Sequence, residues 1–523
     1  MFGRISFVVV AIIGILIALQ QQFKPIPEPR DYVRGKNNTV LFLVNEHPGL
    51  SNVHAATAQS LLESHPDIQV HFGSFPKLAN TMTRISSYAK RNNSQAKEII
   101  FHPLSGLSSS DAYDNYPHLR YDEDGRLGHI SPHGIEGINH ISKNIQIYID
   151  PWFQEEHLAH FKQITSLIDG VDPAVVVLDT NFAPAIEATR ARKRVHAFIT
   201  PNMLVDNFPG EQPWLGFLWK YPAMGSGFPF PIPLKLMAQN IYQNFRLISS
   251  VAKMPDISAK QEFLKANGVP DPIKFYGLHR DDVPWITQTT HAATVPVDFV
   301  PANVTCAGPM TLSAAPAEDQ DAELMAWIKQ KPTVLINLGS AFHYSRTHTR
   351  IMIEGIQKIL EATDLQILWK YMLADTLDDD WRSWMVPLEE TGRVTVTPWL
   401  TVDPFSLLSS GHITAFVTHG GASGFHESIA AGVPQIVLPL WTDTYNYAQL
   451  AEQIGVGIWG CRETSPDWTP ECLRDDVVKV ASGPDGMAFT AKAKEISAAA
   501  REQGVGRDTS AGIIAKLARG GRE

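Results

Sequence analysis

Short apolar runs, bounded by glycine, proline and polar turns, recur along most of the chain. Runs of this kind are typical of strands buried on both faces, and their alternation with helical stretches indicates parallel sheets. We therefore expect an α/β protein. The predicted strands are Thr39–Val44, Ile68–Phe72, Ala174–Leu178, Arg194–Ile199, Thr333–Leu338, Leu365–Trp369, Arg393–Val396, Thr414–Val417, Gln435–Leu438 and Val456–Trp459.

Longer stretches with apolar residues at helical spacing separate many of these strands. They predict helices at Val53–Glu63, Pro151–Ile168, Leu234–Ala252, Ile351–Thr363 and Phe489–Gln503. Residues 80–150 are interpreted as polar and irregular. His129, His133 and His140 fall there, and their spacing fits no closed zinc pattern, which favours a solvated loop over contact with an acceptor.

A glycine-rich turn lies between the strand that ends at Val417 and a helix that begins near Phe425. Its glycines let a ligand approach the backbone, and the free N–H groups of a helix N-terminus attract a phosphate. His419 and Ser423 add side-chain donors. Glu427 lies about two helical turns after His419 and could accept the two hydroxyls of a ribose. The turn therefore predicts a site for a nucleotide-type phosphate.

The residue order around this turn resembles the donor-binding signature of the UDP-dependent glycosyltransferases that modify small molecules, and it is most similar to fungal members. The resemblance is dense between Trp399 and Asn446 and extends by position over residues 38–515. It implies the GT-B fold, in which two Rossmann-like domains face each other across a cleft. The matching residues are Trp399, Leu408, Phe416–Gly421, Ser423, Glu427, Ala431–Pro434, Pro439 and Asp443.

The resemblance also implies the residues that bind a UDP-sugar. Trp399 would stack on the uracil ring, and the turn at Ser340 would contact the diphosphate. Asp443 and Thr444 would bind sugar hydroxyls; glucose-using members often have glutamine where Thr444 stands, and UDP-glucose is the expected donor. The full expected set is Ser340, Trp399, Leu400, His419, Gly421, Ser423, Gly424, Glu427, Asp443 and Thr444.

Two residues of the N-terminal part are candidates for catalysis. His54 lies in the first turn of the first predicted helix, where the helix dipole keeps an imidazole neutral, although it could simply cap or pack there. Asp179 ends a buried strand and could merely cap the next helix. The resembled family has its catalytic histidine and a supporting aspartate at these places. The resemblance thus implies that His54 removes the acceptor proton and that Asp179 stabilises the imidazolium.

We expect the chain to divide into five parts. The acceptor-binding Rossmann-like domain comprises residues 37–300, and the UDP-sugar-binding Rossmann-like domain comprises residues 301–490. Residues 491–523 would form a C-terminal helix that packs back on the first domain. A linker at residues 25–36 follows a membrane anchor at residues 1–24.

The anchor is predicted from the apolar run at residues 5–19. The run is short for a bilayer span, but flanking residues can extend it. A cleavable signal peptide is the alternative, although small residues are poorly placed for cleavage. We favour an uncleaved anchor in the endoplasmic reticulum membrane, with a catalytic body that leans towards the cytosol by the positive-inside rule.

Composition excludes other classes of protein. A chain of 523 residues is too long for one core, and a net charge of −10 without a long basic run argues against a nucleic-acid partner. We expect no metal and no other cofactor, because the helix N-terminus and His419 can bind the diphosphate. Cys306, Cys461 and Cys472 make neither a disulfide framework nor a zinc motif, so we expect ordinary thiols.

The stretch Asn207–Pro233 is rich in aromatic residues, proline and glycine, without a helical period. It could be an acceptor wall, a core-packing loop or a contact with a membrane surface. The whole sequence predicts inverting, metal-independent transfer of a hexose from a UDP-sugar to a hydroxyl of a small lipophilic acceptor. That acceptor could be a secondary metabolite, a sterol or terpenoid, or a phenolic. The alternatives are a membrane-bound nucleotide-sugar-binding or scaffold protein without turnover, and a UDP-sugar epimerase or hydrolase of the same fold.

Overall fold

The computed structural model describes residues 30–274, 278–374, 377 and 382–521. Two parallel β-sheets follow one another along this part of the chain, as the apolar runs predict. The first contains β1 (Lys36–Leu43), β2 (Gln69–Ser74), β3 (Ile100–Pro103), β4 (Pro173–Asp179), β5 (His196–Thr200), β6 (Trp285–Thr287) and β7 (Val304–Cys306), in the order β3-β2-β1-β4-β5-β6-β7. The second contains β8 (Thr333–Asn337), β9 (Gln366–Lys370), β10 (Val394–Thr397), β11 (Ile413–Thr418), β12 (Gln435–Val437) and β13 (Gly457–Trp459), in the order β10-β9-β8-β11-β12-β13.

Helices cover the sheets and form the connections between parallel strands. Those of the first half are α1 (Pro48–Ser64), α2 (Ala79–Asn92), α3 (Ser109–Ala112), α4 (Gly134–Ile149), α5 (Gln154–Val171), α6 (Ala183–Ala191), α7 (Leu204–Asn207), α8 (Gly216–Trp219), α9 (Leu234–Val251) and α10 (Pro255–Ala266). Those of the second half are α11 (Ala317–Gln320), α12 (Ala322–Ile328), α13 (Arg346–Ala362), α14 (Arg382–Glu389), α15 (Pro404–Ser409), α16 (Ala422–Ala431), α17 (Thr444–Gln453), α18 (Pro470–Ala481), α19 (Gly483–Gln503) and α20 (Gly506–Ala518).

The strand order places a ligand crevice in each half. In a doubly wound sheet, ligands bind at the carboxyl ends of the strands where the winding direction reverses. This point lies between β1 and β4 in the first sheet and between β8 and β11 in the second. The residues that follow these strands are Asn45 and Asn181 at the first crevice and Gly339 and His419 at the second, so the second crevice lies at the glycine-rich turn.

Two details of the helical prediction are wrong. Residues 80–150 are not irregular, because they contain most of α2, strand β3 and the sixteen-residue helix α4. Helix α1 begins at Pro48 rather than Val53, since proline has the backbone angle of a first helical position and lacks the N–H that would be unsatisfied there.

The two sheets with their helices are called here the N-terminal and C-terminal lobes, and the end of the chain joins them. Helix α19 packs on α16 in the C-terminal lobe, and α20 then packs on α1 in the N-terminal lobe. Thr57 donates to the Ser510 hydroxyl at 2.9 Å, and Ser60 donates to the Asp508 carboxylate at 2.7 Å. The chain end therefore ties the lobes together behind the cleft.

Cys461 and Cys472 form a disulfide, with their Cα atoms 5.4 Å apart, while Cys306 is a free thiol. The expectation of three thiols is wrong for this pair. The two are eleven positions apart in sequence, and only the fold brings their side chains to bonding distance.

The predicted membrane anchor at residues 1–24 lies outside the described residues. Among the residues that the structure does describe, no helix is long and apolar enough to cross a membrane.

Candidate active site

A cavity of about 1780 Å³ lies between the two lobes. The N-terminal lobe contributes His47, Tyr113, His129 and one face of α6. The C-terminal lobe contributes Ser340, Trp399, Trp441, Thr442 and Asp443. The cavity therefore connects three residues of the predicted donor set, Ser340, Trp399 and Asp443, to the crevice of the first sheet, whereas His419 and the start of α16 are not among its lining residues.

The His419 imidazole is held between two glycines. A Cβ atom at Gly339 would lie 2.6 Å from His419 Cε1, and one at Gly421 would lie 2.5 Å from His419 Nε2. Gly339 also has a φ of +89°, which favours glycine. Burial, and to a lesser degree Lys370, lowers the pKa of His419 to about 4, so its ring is neutral at pH 7. Its Nδ1 is buried without a hydrogen-bond partner, which leaves this atom available to a ligand.

The predicted phosphate cradle at the start of α16 faces the N-terminal lobe. Gly421 is the N-cap residue, and the Ser423 hydroxyl donates to the Gly49 carbonyl at 3.2 Å. Gly424 lies where a Cβ atom would approach the Thr418 hydroxyl to 3.3 Å, so its role is close packing of the helix on β11. The glycine-rich turn thus gives both the free helix end and the close approach to α1.

Trp399 is 58% exposed, and its ring faces the cavity beside a buried lysine. Lys370 Nζ lies 3.9 Å from the centre of the Trp399 ring and donates to the Gly339 carbonyl at 3.0 Å. Burial lowers the pKa of Lys370 to about 8. Leu400 is only 8% exposed and packs in the core with Leu407. The predicted donor contact of Leu400 would therefore have to come from its backbone.

Glu427 lies on α16 below the cradle. Burial raises its pKa to about 8, and Asp403 contributes to this rise. A buried carboxyl of this kind would gain from two hydroxyl donors, because hydrogen bonds to its charged form favour ionisation. The environment of Glu427 is consistent with the predicted contact to a ribose.

Asp443 and Thr444 face opposite ways. Asp443 lines the cavity, accepts a hydrogen bond from the Thr442 hydroxyl at 2.8 Å, and has a pKa raised by burial. Thr444 is 1% exposed; its hydroxyl donates to the Trp441 carbonyl and accepts from the Leu440 and Trp441 N–H groups at 3.2 and 3.1 Å. The prediction that Thr444 touches the sugar is wrong, because this hydroxyl satisfies the turn before α17.

His54 does not reach the cavity. Its side chain is fully buried, with Nδ1 2.9 Å from the Leu50 carbonyl and Nε2 3.2 Å from the Leu178 carbonyl. Asp179 instead accepts from the N–H groups of Asn45 and Asn181, at 3.2 and 2.9 Å. The expected orientation of His54 and its expected hydrogen bond to Asp179 are both wrong. Burial raises the pKa of Asp179, while nearby His54, these N–H groups and His47 oppose that rise.

His47 is the histidine that lines the cavity at this end. It is the half-buried N-cap residue of α1, and its Nε2 lies 3.2 Å from the Ser109 hydroxyl. Beside it, Glu46 accepts from the Ser110 N–H at 2.7 Å and hydroxyl at 2.6 Å. Burial alone would raise the pKa of Glu46, but His47 and the Ser110 bonds hold that pKa below its usual value. The His47 imidazole and the Glu46 carboxylate therefore line one end of the cavity, and Asp179 is buried next to this end, where it accepts from Asn45 and Asn181.

His129, His133 and His140 have different surroundings. His129 lines the cavity, 5.0 Å from the Tyr113 ring, and burial lowers its pKa to about 4. His133 packs against Tyr445 and Trp459 of the C-terminal lobe, with ring centres 5.5 and 5.1 Å apart, and His140 lies on α4. The solvated-loop interpretation is therefore wrong for His129, which lines the cavity, and for His140, which lies in a helix, whereas His133 is exposed in a bend as expected.

Sequence reasoning missed four residues at the cavity or beneath its floor: His47, Asp206, Lys370 and Arg190. A signal existed for two of them. His47 precedes Pro48, a helix-start signal, and Lys370 ends an apolar strand at the carboxyl edge of the sheet. Asp206 lies in a short helix after β5, and burial together with Asp443 raises its pKa to about 7. Nothing in the sequence shows that Asp206 faces Asp443 across the cleft.

Comparisons with known proteins agree with this geometry. A family model described as "UDP-glucoronosyl and UDP-glucosyl transferase" matches residues 259–462. The chain is 30% identical to glycosyltransferase sdnJ of Sordaria araneosa over 470 residues. This alignment covers 88% of this chain and 90% of sdnJ.

Solved structures share the fold. The glycotransferase of kitacinnamycin is 16% identical with a TM-score of 0.58, covering 94% of this chain and all of the other. Os79 from O. sativa, solved with U2F and trichothecene, is 14% identical with a TM-score of 0.60. The match covers 91% of this chain and 100% of Os79.

These similarities and the paired crevices define a glycosyltransferase of the GT-B fold. The chain belongs to the UDP-glycosyltransferase family, and it is an enzyme that transfers a sugar from a UDP-sugar to a small molecule.

Proposed function

We propose that this enzyme transfers a hexose, with glucose as the expected sugar, from its UDP conjugate to a hydroxyl of a small lipophilic acceptor, with inversion at the anomeric carbon. The observation that carries the proposal is the single cavity that holds Asp443 and Trp399 on one wall and His47 on the opposite wall. A sugar held between these walls exposes one face to the departing diphosphate and the other to the acceptor.

The proton acceptor in this proposal is His47. Its imidazole borders the cavity, whereas His54 is buried between two carbonyls. Glu46 and Asp179 are close enough to His47 for its charge to lower the pKa of each. Both carboxylates would therefore stabilise the imidazolium that forms when His47 takes the proton of the acceptor hydroxyl. His54 then has a positioning role, since its ring connects the first turn of α1 to the end of β4.

The diphosphate would be bound without a metal. Uncharged hydrogen-bond donors would come from the N-terminus of α16, the Ser423 hydroxyl and the turn at Ser340. His419 would add its Nδ1, which has no hydrogen-bond partner among the described residues. Lys370 supplies a positive charge below the Gly339 carbonyl. Preorganised donors and charge of this kind can stabilise a leaving diphosphate as it departs.

Transfer is tested by incubating the protein with UDP-glucose, UDP-galactose and UDP-glucuronic acid, each with a panel of lipophilic alcohols and phenols, in the presence of a strong chelator. Mass spectrometry should detect a hexosylated acceptor together with UDP. UDP binding without any turnover would favour the nucleotide-sugar-binding alternative. Release of free sugar, or conversion of one UDP-sugar to another, would favour the hydrolase or epimerase alternative.

The location of the enzyme is also part of the proposal. Residues 5–19 would anchor it in the endoplasmic reticulum membrane, with the two lobes on the cytosolic side. Protease protection of the lobes in sealed microsomes would contradict that orientation.

A further inference from the structure

One face of helix α6 forms a wall of the cavity that leads away from the catalytic end. The helix follows Asp179 and the short turn after β4. Ala183, Ile186, Glu187 and Arg190 all line the cavity. These positions follow the i, i+3, i+4, i+7 pattern of a single helical face. Seven residues of helix separate Ala183 from Arg190, a length of about 10 Å.

Arg190 lies at the far end of this wall with hydrogen-bonding capacity to spare. Its Nη2 donates to the Leu278 carbonyl at 2.7 Å, and its Nε is buried without a hydrogen-bond partner among the described residues. Its guanidinium carbon lies 5.9 Å from the centre of the Phe198 ring. A buried N–H without a partner is costly, so this group is suited to an acceptor atom supplied by a ligand.

The charges around Arg190 do not neutralise it. Arg280 and Arg30 repel its charge, whereas Asp271 and the Tyr32 hydroxyl favour it. Asp271 is paired with Lys274 at 2.7 Å, and Arg30 with Asp282 at 2.9 Å. Burial and Arg280 lower the pKa of Arg190 to about 10, and it stays protonated at neutral pH.

Glu187, the other charged residue of the wall, is already occupied. It accepts from His157 at 2.7 Å and from the Ile273 N–H at 2.6 Å. Glu187 therefore does not neutralise Arg190, and the positive charge of Arg190 can attract an anionic ligand.

The rest of this branch has apolar side chains at its centre, and Glu211, Asp271, Lys274 and His279 also line it. Phe208, Ile273, Leu278 and Trp285 line it together with Ile186. A ligand that fits the branch therefore has an apolar body and an acceptor group at one end. Arginine offers a planar fork of N–H donors that matches a carboxylate.

We propose that the acceptor carries a carboxylate at the end remote from the glycosylated hydroxyl, and that Arg190 binds it. This inference rests on the proposed function, because it places the acceptor hydroxyl near His47 at the other end of the wall. It defines the acceptor class as hydroxylated apolar acids in which roughly the length of α6, about 10 Å, separates the two groups.

The test uses 10-hydroxydecanoic acid and its primary amide, which differ in charge but hardly in size. Calorimetry on the full-length protein saturated with UDP should show the acid binding at least about 10-fold more tightly than the amide. Arg190→Gln should weaken the acid about 10- to 100-fold, the range of a charge-assisted hydrogen bond, and leave the amide unchanged. Arg190→Lys, which keeps the charge without the fork, should give an intermediate loss.

Arg192→Gln is the matched control, since Arg192 lies two residues away and pairs with Asp169 at 2.8 Å on the surface. Arg192→Gln should change neither the affinity for the acid nor the affinity for the amide. Equal binding of acid and amide to the wild type, no binding of the acid, or equal losses for both in Arg190→Gln would overturn the inference. If Arg190→Gln fails to fold, an unchanged preference of Arg190→Lys for the acid over the amide would also overturn the inference. UDP affinity and UDP-glucose turnover, measured separately, show whether the proposed function itself has failed.

Discussion

The Ser423 hydroxyl donates to the Gly49 carbonyl at 3.2 Å, and this bond joins the N-terminal turns of α16 and α1 across the cleft. Both helices present the positive ends of their dipoles here, an arrangement that repels. An anion between the two ends would turn the repulsion into attraction. The diphosphate of the donor would be such an anion, so we expect donor binding to strengthen the contact between the lobes.

Replacing Ser423 by alanine should weaken UDP binding by roughly 2- to 10-fold, the usual worth of one hydrogen bond. Calorimetry measures this loss. Ser482→Ala is the control, because Ser482 precedes α19 and its hydroxyl donates to the Val478 carbonyl of the preceding helix at 2.6 Å. Unchanged UDP affinity in Ser423→Ala would show that this hydroxyl bonds to Gly49 alone.

Glu427 should make the recognition of ribose depend on pH. Its pKa is raised to about 8 by burial and Asp403, and only the ionised carboxylate can accept from both ribose hydroxyls. The preference for uridine over 2′-deoxyuridine should therefore grow as pH rises through 8. Glu427→Gln should bind both nucleosides alike at every pH. Titrations at pH 6 to 9 check this, with the exposed Glu471→Gln as control; a variant that keeps the wild-type preference would rule out the ribose contact.

His47 and His54 should have different effects when replaced. His47→Ala should fold, bind UDP normally and lose roughly 10²–10⁴ in kcat, as expected for a general base. His54→Ala should mainly lower the melting temperature, since it removes a buried ring and its contacts with the Leu50 and Leu178 carbonyls. Turnover per folded molecule distinguishes the two. A stable His54→Ala protein without activity, beside an active His47→Ala protein, would reverse the assignment.

A buried charge network should make stability depend on pH. Burial would lower the pKa of His157, but Asp150 and Glu187, at 3.0 and 2.7 Å, raise it to about 10. A raised pKa means that this stabilisation is complete below pH 6.5 and is lost as pH rises towards 10.

The free energy of unfolding of the wild type should therefore fall between pH 7 and 10. His157→Gln should be less stable by about 3–5 kcal/mol near neutrality, and its stability should fall less over the same range. The exposed His291→Gln should behave like the wild type. Parallel pH profiles for the wild type and His157→Gln would show that His157 is not charged in the folded protein.

The sheets and the glycine-rich turn could be predicted because their signals are local. Buried parallel strands such as β4 are continuous apolar runs, and the turn from Thr418 to Gly424 combines a strand end with the glycines that a helix N-terminus needs. Helix α4 was missed although Ile138, Ile141 and Ile145 have helical spacing, because its glycines and β-branched residues lower helix propensity.

Side-chain direction could not be predicted in the same way. A start of α1 five residues earlier than expected turns His54 into the core and leaves His47 at the cavity. Thr444 is next to Asp443, but its short hydroxyl reaches the backbone of its own turn. Arg190 lies on the cavity because α6 presents one face to it, a relation that depends on the packing of several distant segments.

The most direct test of the account is the anomeric configuration of the product. The enzyme should be incubated with UDP-α-glucose and a lipophilic alcohol in the presence of a strong chelator, and the product examined by proton NMR. The account predicts a β-glucoside, formed together with UDP and lost with His47→Ala, because the acceptor attacks from the face opposite the diphosphate. An α-glucoside, or the absence of any UDP-dependent product with every donor and acceptor tried, would contradict it.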